Sequence, residues 1–223
     1  MIKLVILDWD DVFTKGSTQG YFRCYHEAVV GVGIHLPIEE EEKRIKAKWG
    51  KHHREELSEL LKEHPHLVDQ AVLIYESHLF GDTFVRYISP VPGIVPLLKR
   101  LSQKYILAIA TGMHPYILKE KVMPAFGIPP VFTTIMTSFD VEDVAKQKPD
   151  PYMVTEILRI NNIKASDAVL AGDAKGDVTM ARGAGVRPIV VLTGHLSLEQ
   201  AQELRVEDII PDITHIEKIL EKY

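Results

Sequence analysis

At 223 residues, 46% hydrophobic and 26% charged, the chain is long enough for one good core with a smaller satellite, and its composition is that of a soluble globular protein. Its 26 Lys and Arg stand against 31 Asp and Glu, and the net charge of −5 gives no general attraction to nucleic acid or to an anionic membrane. Cys24 is the one cysteine, which excludes an intramolecular disulfide and a thiolate metal cluster and leaves a small buried hydrophobe as the expected role.

The first element is Lys3-Leu4-Val5-Ile6-Leu7, an apolar run suited to a strand buried on both faces of a parallel sheet. No basic-then-apolar leader precedes it, and no apolar stretch approaches the length of a membrane span, so a reducing cytoplasm is the expected compartment. Asp8-Trp9-Asp10-Asp11-Val12 follows. One Asp would serve as a helix cap, but three in four positions are too many for that purpose. Asp8 and Asp10, two apart, would share a face in extended chain, and their repulsion calls for a bound cation.

Lys15 to Gly20 reads as turn-rich, and Tyr21 to Val32 as a helix ended by Gly33. The segment Gly31-Val32-Gly33 lacks the rest of a dinucleotide fingerprint. Pro37 opens a charged helix over Ile38 to Trp49, with Glu39/Lys43, Glu40/Arg44 and Glu42/Lys46 at i,i+4 spacing and Gly50 closing it. His52 to Glu63 and Leu67 to Leu79 continue as helices. His52-His53 and His64-Pro65-His66 show no carboxylates at a convincing spacing, which favours solvated helix ends over a zinc site. From 16 to 86 the pattern is helical throughout.

Strands and helices then alternate. Ile94 to Ser102 is a helix, Tyr105 to Ala110 a strand, His114 to Val122 a helix and Val131 to Met136 a strand. Pro151 to Ile160 is helical, Ala168 to Ala171 a strand, Gly176 to Ala184 a helix and Pro188 to Leu192 a strand. A helix over Leu196 to Leu204, a short strand at Ile209-Ile210 and a helix from Asp212 complete the chain. The expected fold is therefore α/β: a Rossmann-like parallel-sheet core over 1–15 and 87–223, with an inserted helical domain over 16–86.

In such sheets ligands bind at the carboxyl ends of the strands. The second strand ends in Thr111-Gly112, the fourth in Gly172-Asp173 with Asp177 beyond, and Lys148 lies in the loop after the third. Singly, each fits a cap, a solvated surface or a helix dipole. Together, carboxylates at Asp8, Asp10 and Asp173 offer oxygen ligands to a hard cation such as Mg²⁺, while Thr111 and Lys148 suit phosphoryl oxygens. One carboxylate is then left to attack phosphorus.

Asp8-Trp9-Asp10-Asp11-Val12, Thr111, Lys148-Pro149 and Gly172-Asp173-Ala174-Lys175-Gly176-Asp177 resemble, in order, the four motifs of the haloacid dehalogenase superfamily. The helical insertion after the first motif and the Pro92-Gly93 turn resemble its phosphoglycolate phosphatase-like branch, and the likeness spans the whole chain. The resemblance implies a Mg²⁺-dependent phosphatase in which Asp8 is the nucleophile and Asp10 the general acid and base. It also implies that Mg²⁺ is held by Asp8, the Asp10 main-chain carbonyl and Asp173, with Asp177 supporting. Thr111, Gly112 and Lys148 would hold the phosphoryl group, assisted by main-chain N–H groups near Trp9 and Gly112, and the helical insertion would close over the pocket. Asp11 stands where many members have Gly.

A dehalogenase is disfavoured because Asp10 is present. A response-regulator receiver is disfavoured by the length of the chain and the position of its acceptor Asp. A phosphomutase would hold a second phosphate in the insertion, for which Arg23, Lys43, Arg44, Lys46, Lys48, Lys51 and Arg54 are candidates, though most face the Glu run. A phosphate-binding homologue without turnover is the third reading. The expected partner is a small phosphorylated metabolite, such as 2-phosphoglycolate or a sugar phosphate, contacted by residues such as Arg23 or His26. Neither nucleic acid nor membrane is expected, and both monomer and homodimer stay open.

Overall fold

Leu4–Leu7, wholly shielded from solvent, form a central strand (β1) in a computed structural model that describes residues 1–49 and 52–223. Burying each of these side chains contributes roughly 1.5–3 kcal/mol, which is why an apolar run this short commits to the sheet interior. The other strands of its six-stranded sheet are β2 (Ile106–Thr111), β3 (Phe132–Thr137), β4 (Ala168–Gly172), β5 (Arg187–Val191) and β6 (Asp208–Ile210). Their order across the sheet is β3-β2-β1-β4-β5-β6, and every pairing is parallel. The chain winds outward from β1 to β3, returns, and winds outward again from β4. The direction of winding thus reverses between β1 and β4, the switch point at which open α/β sheets leave a crevice.

Register sets what stands at that crevice. Leu7 lies opposite Ile109 of β2 and Ala171 of β4, so the residues that follow all three leave the sheet at one end. One face of the sheet, through Leu4, Ile6, Ala108, Ala110 and Leu170, packs on Met153, Val154 and Ile157 of helix Tyr152–Asn161 and on Met180 and Ala181 of helix Lys175–Gly183.

The described residues divide into two units, Met1–Lys15 with Pro90–Tyr223, and Gly16–Ser89. The second is built from helices Ser17–Gly31, Ile38–Lys48, His53–Leu60, Val68–Phe80 and Thr83–Tyr87. Its first helix starts at Ser17, four residues before the expected Tyr21. Gly20, taken from sequence as a turn residue, lies within this helix, and Phe84 packs 3.0 Å from where its Cβ would be, which accounts for a glycine at this position. Cys24 is buried there, with its thiol pushed up to about 12 by burial and then by Glu27.

In helix Ile38–Lys48, Glu40 pairs with Arg44 and Glu42 with Lys46, whereas Lys43 turns to Glu40 rather than to Glu39. Gly50, expected to end this helix, and Lys51 lie outside the described residues. Arg23 is held by Glu27, and Arg54 by Asp69. His53 corrects the sequence expectation: its Nε2 lies 3.1 Å from Glu76, a carboxylate from a different helix that local spacing does not reveal. The segment expected as a helix over 114–122 is π-helical from Ile117 to Val122, just ahead of Pro124, which has no N–H to continue a regular ladder. Among the described residues, no helix is long and apolar enough to cross a membrane.

Candidate active site

Asp8 continues the ladder by one residue, its N–H donating to Ala171 of β4 at 2.9 Å. The chain then leaves extended conformation. The N–H groups of Val12 and Phe13 both donate to the Trp9 carbonyl, and Asp11 adopts a left-handed conformation at φ 52°. Among non-glycine residues Asp is one of the few that adopt this region readily. Asp11 donates its N–H to the Thr14 hydroxyl at 3.3 Å, closing the turn.

Asp8, Asp173 and Asp177 each bring a carboxylate oxygen within 4.8 Å of the others, and all three residues are buried. Of the residues expected around the cation, Asp8 and Asp173 lie in this set and so does the expected supporting residue Asp177, while the side chain of the half-buried Asp10, expected to contribute its main-chain carbonyl, is not among the three. The alternation that would put Asp8 and Asp10 on one face stops where the turn begins, at Trp9. Asp177 enters from the first turn of helix Lys175–Gly183, where its Oδ2 accepts the Ala174 N–H at 3.1 Å. Gly172 makes the room, since a Cβ there would sit 2.3 Å from the Asp177 Cγ.

Lys148 reaches into the same cluster. Its Nζ lies 3.0 Å from Asp8 Oδ1 and 2.7 Å from Asp177 Oδ1. Burial alone would disfavour its ammonium, but Asp177 and Asp8 outweigh burial and hold its pKa above the ordinary lysine range. Burial pushes the Asp8 carboxyl up to about 6, with Lys148 restraining the rise and Asp177 adding to it. Asp173 is pushed up to about 8 by burial and then by Asp8 and Asp177, against the pull of the His195 N–H. With all three carboxylates ionised, as ligation of a cation requires, they and the one ammonium carry two net negative charges, the charge a divalent cation would balance, and the donor set is all oxygen.

Thr111 ends β2, the neighbour of β1 on the other side, and is completely buried; its Oγ1 accepts the Met113 N–H at 3.1 Å. A side chain at the exposed Gly112 would point into open space, with no atom within 4 Å of its Cβ. Four separate stretches of chain thus stand at this edge: the turn after Asp8, Lys148 and the start of helix Lys175–Gly183 meet in the cluster, and the end of β2 lies beside β1 by register.

Sequence reading passed over a fifth stretch. Residues 193–196 follow β5, and there the His195 N–H donates to Asp173 Oδ2 at 2.9 Å and the Leu196 N–H to the Asp173 carbonyl at 2.9 Å. The Thr193 hydroxyl donates to the Asp11 carbonyl. A signal was present, because Thr193-Gly194 stands beyond the end of β5 much as Thr111-Gly112 stands at the end of β2.

A model of the haloacid dehalogenase-like hydrolase family matches residues 2–185. A glyceraldehyde 3-phosphate phosphatase of Methanopyrus kandleri is 26% identical over 95% of this chain and 92% of its own. A phosphoglycolate phosphatase of Mesorhizobium japonicum is 27% identical over 57% of this chain and 54% of its own. In fold, the chain is similar to a haloacid dehalogenase-like family hydrolase of Streptococcus pneumoniae, with a TM-score of 0.78, 18% identity and 98% of both chains covered.

Proposed function

The chain belongs to the haloacid dehalogenase-like hydrolase family, and from that premise we propose that it is a Mg²⁺-dependent phosphatase of small phosphomonoesters, with Asp8 as its nucleophile. The observation that carries this reading is the setting of Asp8: a buried carboxylate at the switch point, 3.0 Å from the Lys148 ammonium and within reach of two further carboxylates. The names of the two phosphatase relatives support the substrate class, short phosphorylated metabolites such as 2-phosphoglycolate and triose or other sugar phosphates.

In the first step a carboxylate oxygen of Asp8 attacks phosphorus and the P–O bond to the alcohol breaks, leaving an acyl phosphate on Asp8. Asp10 gives its proton to the departing alkoxide. In the second step Asp10, now ionised, takes a proton from water as the water oxygen attacks phosphorus, and inorganic phosphate leaves with the Asp8 carboxylate restored. Lys148 and the Thr111 hydroxyl, with main-chain N–H groups near Trp9 and Gly112, hold the phosphoryl oxygens as negative charge shifts among them. Asp8, the Asp10 carbonyl and Asp173 would hold Mg²⁺, with Asp177 fixing the surroundings. The ion supplies charge balance to the transferring group and lets the phosphoryl dianion approach a carboxylate.

The test is phosphate release from para-nitrophenyl phosphate and a panel of phosphorylated metabolites, with Mg²⁺ or EDTA, for the native chain and Asp8→Asn. Release that needs Mg²⁺ and vanishes in Asp8→Asn is expected. Release that persists in Asp8→Asn refutes the assignment of the nucleophile. No release from any compound by folded protein turns the reading toward a phosphomutase or a phosphate-binding homologue.

A further inference from the structure

We infer that the loop after β5 positions the cation-binding carboxylates, and that Gly194 is a positioning residue whose missing side chain is the space Asp173 occupies. The inference rests on the reading of the acidic trio as a cation site. A Cβ at Gly194 would lie 1.9 Å from Asp173 Oδ2, 2.5 Å from its Cγ and 2.8 Å from its Cβ. Backbone freedom does not explain this glycine. Gly194 is not among the glycines held at positive φ, the region in which a side chain is strained whatever the space. The three atoms nearest the Cβ position all belong to the Asp173 side chain.

The same loop fixes the carboxylate that it makes room for. The His195 N–H holds Asp173 Oδ2, and the Leu196 N–H holds the Asp173 carbonyl. A carboxylate with one oxygen tied in this way cannot swivel, so its other oxygen keeps a fixed direction. One residue earlier, Thr193 ties the Asp11 carbonyl and with it the turn that follows Asp8. Four consecutive residues thus brace Asp173 and the nucleophile's turn against each other. Partners that orient ligands in this way are typically worth about 10- to 100-fold in metal affinity.

In Gly194→Ala the carboxylate or the loop must yield by about 1 Å to escape contact, a displacement of the size that costs catalytic sites on the order of 100-fold. The experiment is a Mn²⁺ titration of the full chain followed by electron paramagnetic resonance. Thermal melts in EDTA and in Mn²⁺ accompany it, as does the Mg²⁺ dependence of para-nitrophenyl phosphate hydrolysis. The variants are Gly194→Ala, Thr193→Val and Thr193→Ser.

The expected result is Mn²⁺ binding weakened at least about tenfold in Gly194→Ala, with the melt in EDTA little changed and the Mn²⁺-dependent stabilisation lost. Activity should then need more Mg²⁺ and recover in part at saturation. A purely structural defect would instead lower the melt in EDTA and leave the Mn²⁺ increment intact, and that result overturns the inference. So does unchanged Mn²⁺ affinity in folded Gly194→Ala. If Gly194→Ala does not fold, Thr193→Val decides: weakened Mn²⁺ binding that Thr193→Ser restores supports the brace, and unchanged binding overturns it. A native chain that binds no Mn²⁺ overturns the cation reading itself, and the inference with it.

Discussion

Raising the pH of the metal-free protein should destabilise it, and adding Mg²⁺ should cancel most of that loss. Asp8 is held near 6 and Asp173 near 8, both above the ordinary carboxylate value of 3.8. Between those limits the native state keeps protons that the unfolded state has released. Stability from these groups is therefore complete below about pH 4 and is lost as pH rises through their native values. Lys148, held above its ordinary range, stays charged throughout this window and adds no slope. Each such carboxyl loses up to roughly 1.4 kcal/mol per pH unit, so from pH 5 to pH 8 the pair loses a few kcal/mol. For a chain of this size that lowers Tm on the order of 10 °C. Ligating carboxylates must ionise, so the increment from Mg²⁺ should be larger at pH 8 than at pH 5. The assay is a series of thermal melts from pH 5 to 8 in EDTA and in Mg²⁺, with Asp173→Asn as the reference that removes the Asp173 contribution. A native slope equal to that of Asp173→Asn, with a Mg²⁺ increment independent of pH, would refute the reasoning.

Lys148→Met removes the ammonium shared by Asp8 and Asp177, leaving buried carboxylates without it; a loss of about 3–5 kcal/mol is expected in melts with EDTA, and a smaller one with Mg²⁺. The same variant should lower phosphate release by about 100-fold or more in steady-state assays. Trp9 is wholly buried against Phe13, and its Nε1 has no hydrogen-bond partner among the described residues, so Trp9→Phe discards an unsatisfied donor along with some ring area. Urea melts should show Trp9→Phe costing less than about 2 kcal/mol and Trp9→Ala about 3–5 kcal/mol. In the helical unit the Tyr25 hydroxyl donates to the buried Glu56, and burial raises the phenol far beyond any working pH. Tyr25→Phe should therefore cost about 1–3 kcal/mol by urea unfolding, with no dependence on Mg²⁺.

The sheet was legible because buried parallel strands have no alternative reading of comparable quality: Leu4–Leu7 and Ile106–Thr111 are apolar, short and bounded by polar turns. The candidate site was legible for a related reason. Parallel strands bring their carboxyl ends together, so Asp8 and Asp173 meet across 165 positions once both are seen to follow central strands. Where the reading fell short, the deciding fact was not local. The closeness of Asp177 to Asp8 and Asp173 comes from where its helix starts, beyond β4, whereas strand periodicity speaks only for residues in an extended run. His53 found Glu76 across the helical unit, a pairing that no i,i+4 rule reports. The loop after β5 is hard to read because, apart from the Thr193 hydroxyl, its contacts with Asp173 run through main-chain N–H groups and an absent Cβ, leaving the Thr-Gly pair as its one sequence signal.

The departures from local preference are themselves informative, because they gather at one end of the sheet. An apolar strand runs into three aspartates, a non-glycine residue sits at φ 52°, and the glycine at position 194 has Asp173 where its side chain would be. Each opposes stability when taken alone: burying a carboxylate costs several kcal/mol, and a left-handed Asp roughly 1 kcal/mol or more. Elsewhere in the core local preference and packing agree, as in Met153, Val154 and Ile157 beneath Leu4 and Ile6. A chain selected for stability alone would have no reason to concentrate its costs at one place. Clustered conflict inside an otherwise consistent fold is what a site held for chemistry leaves behind, and here it falls at the switch point where the topology opens a crevice.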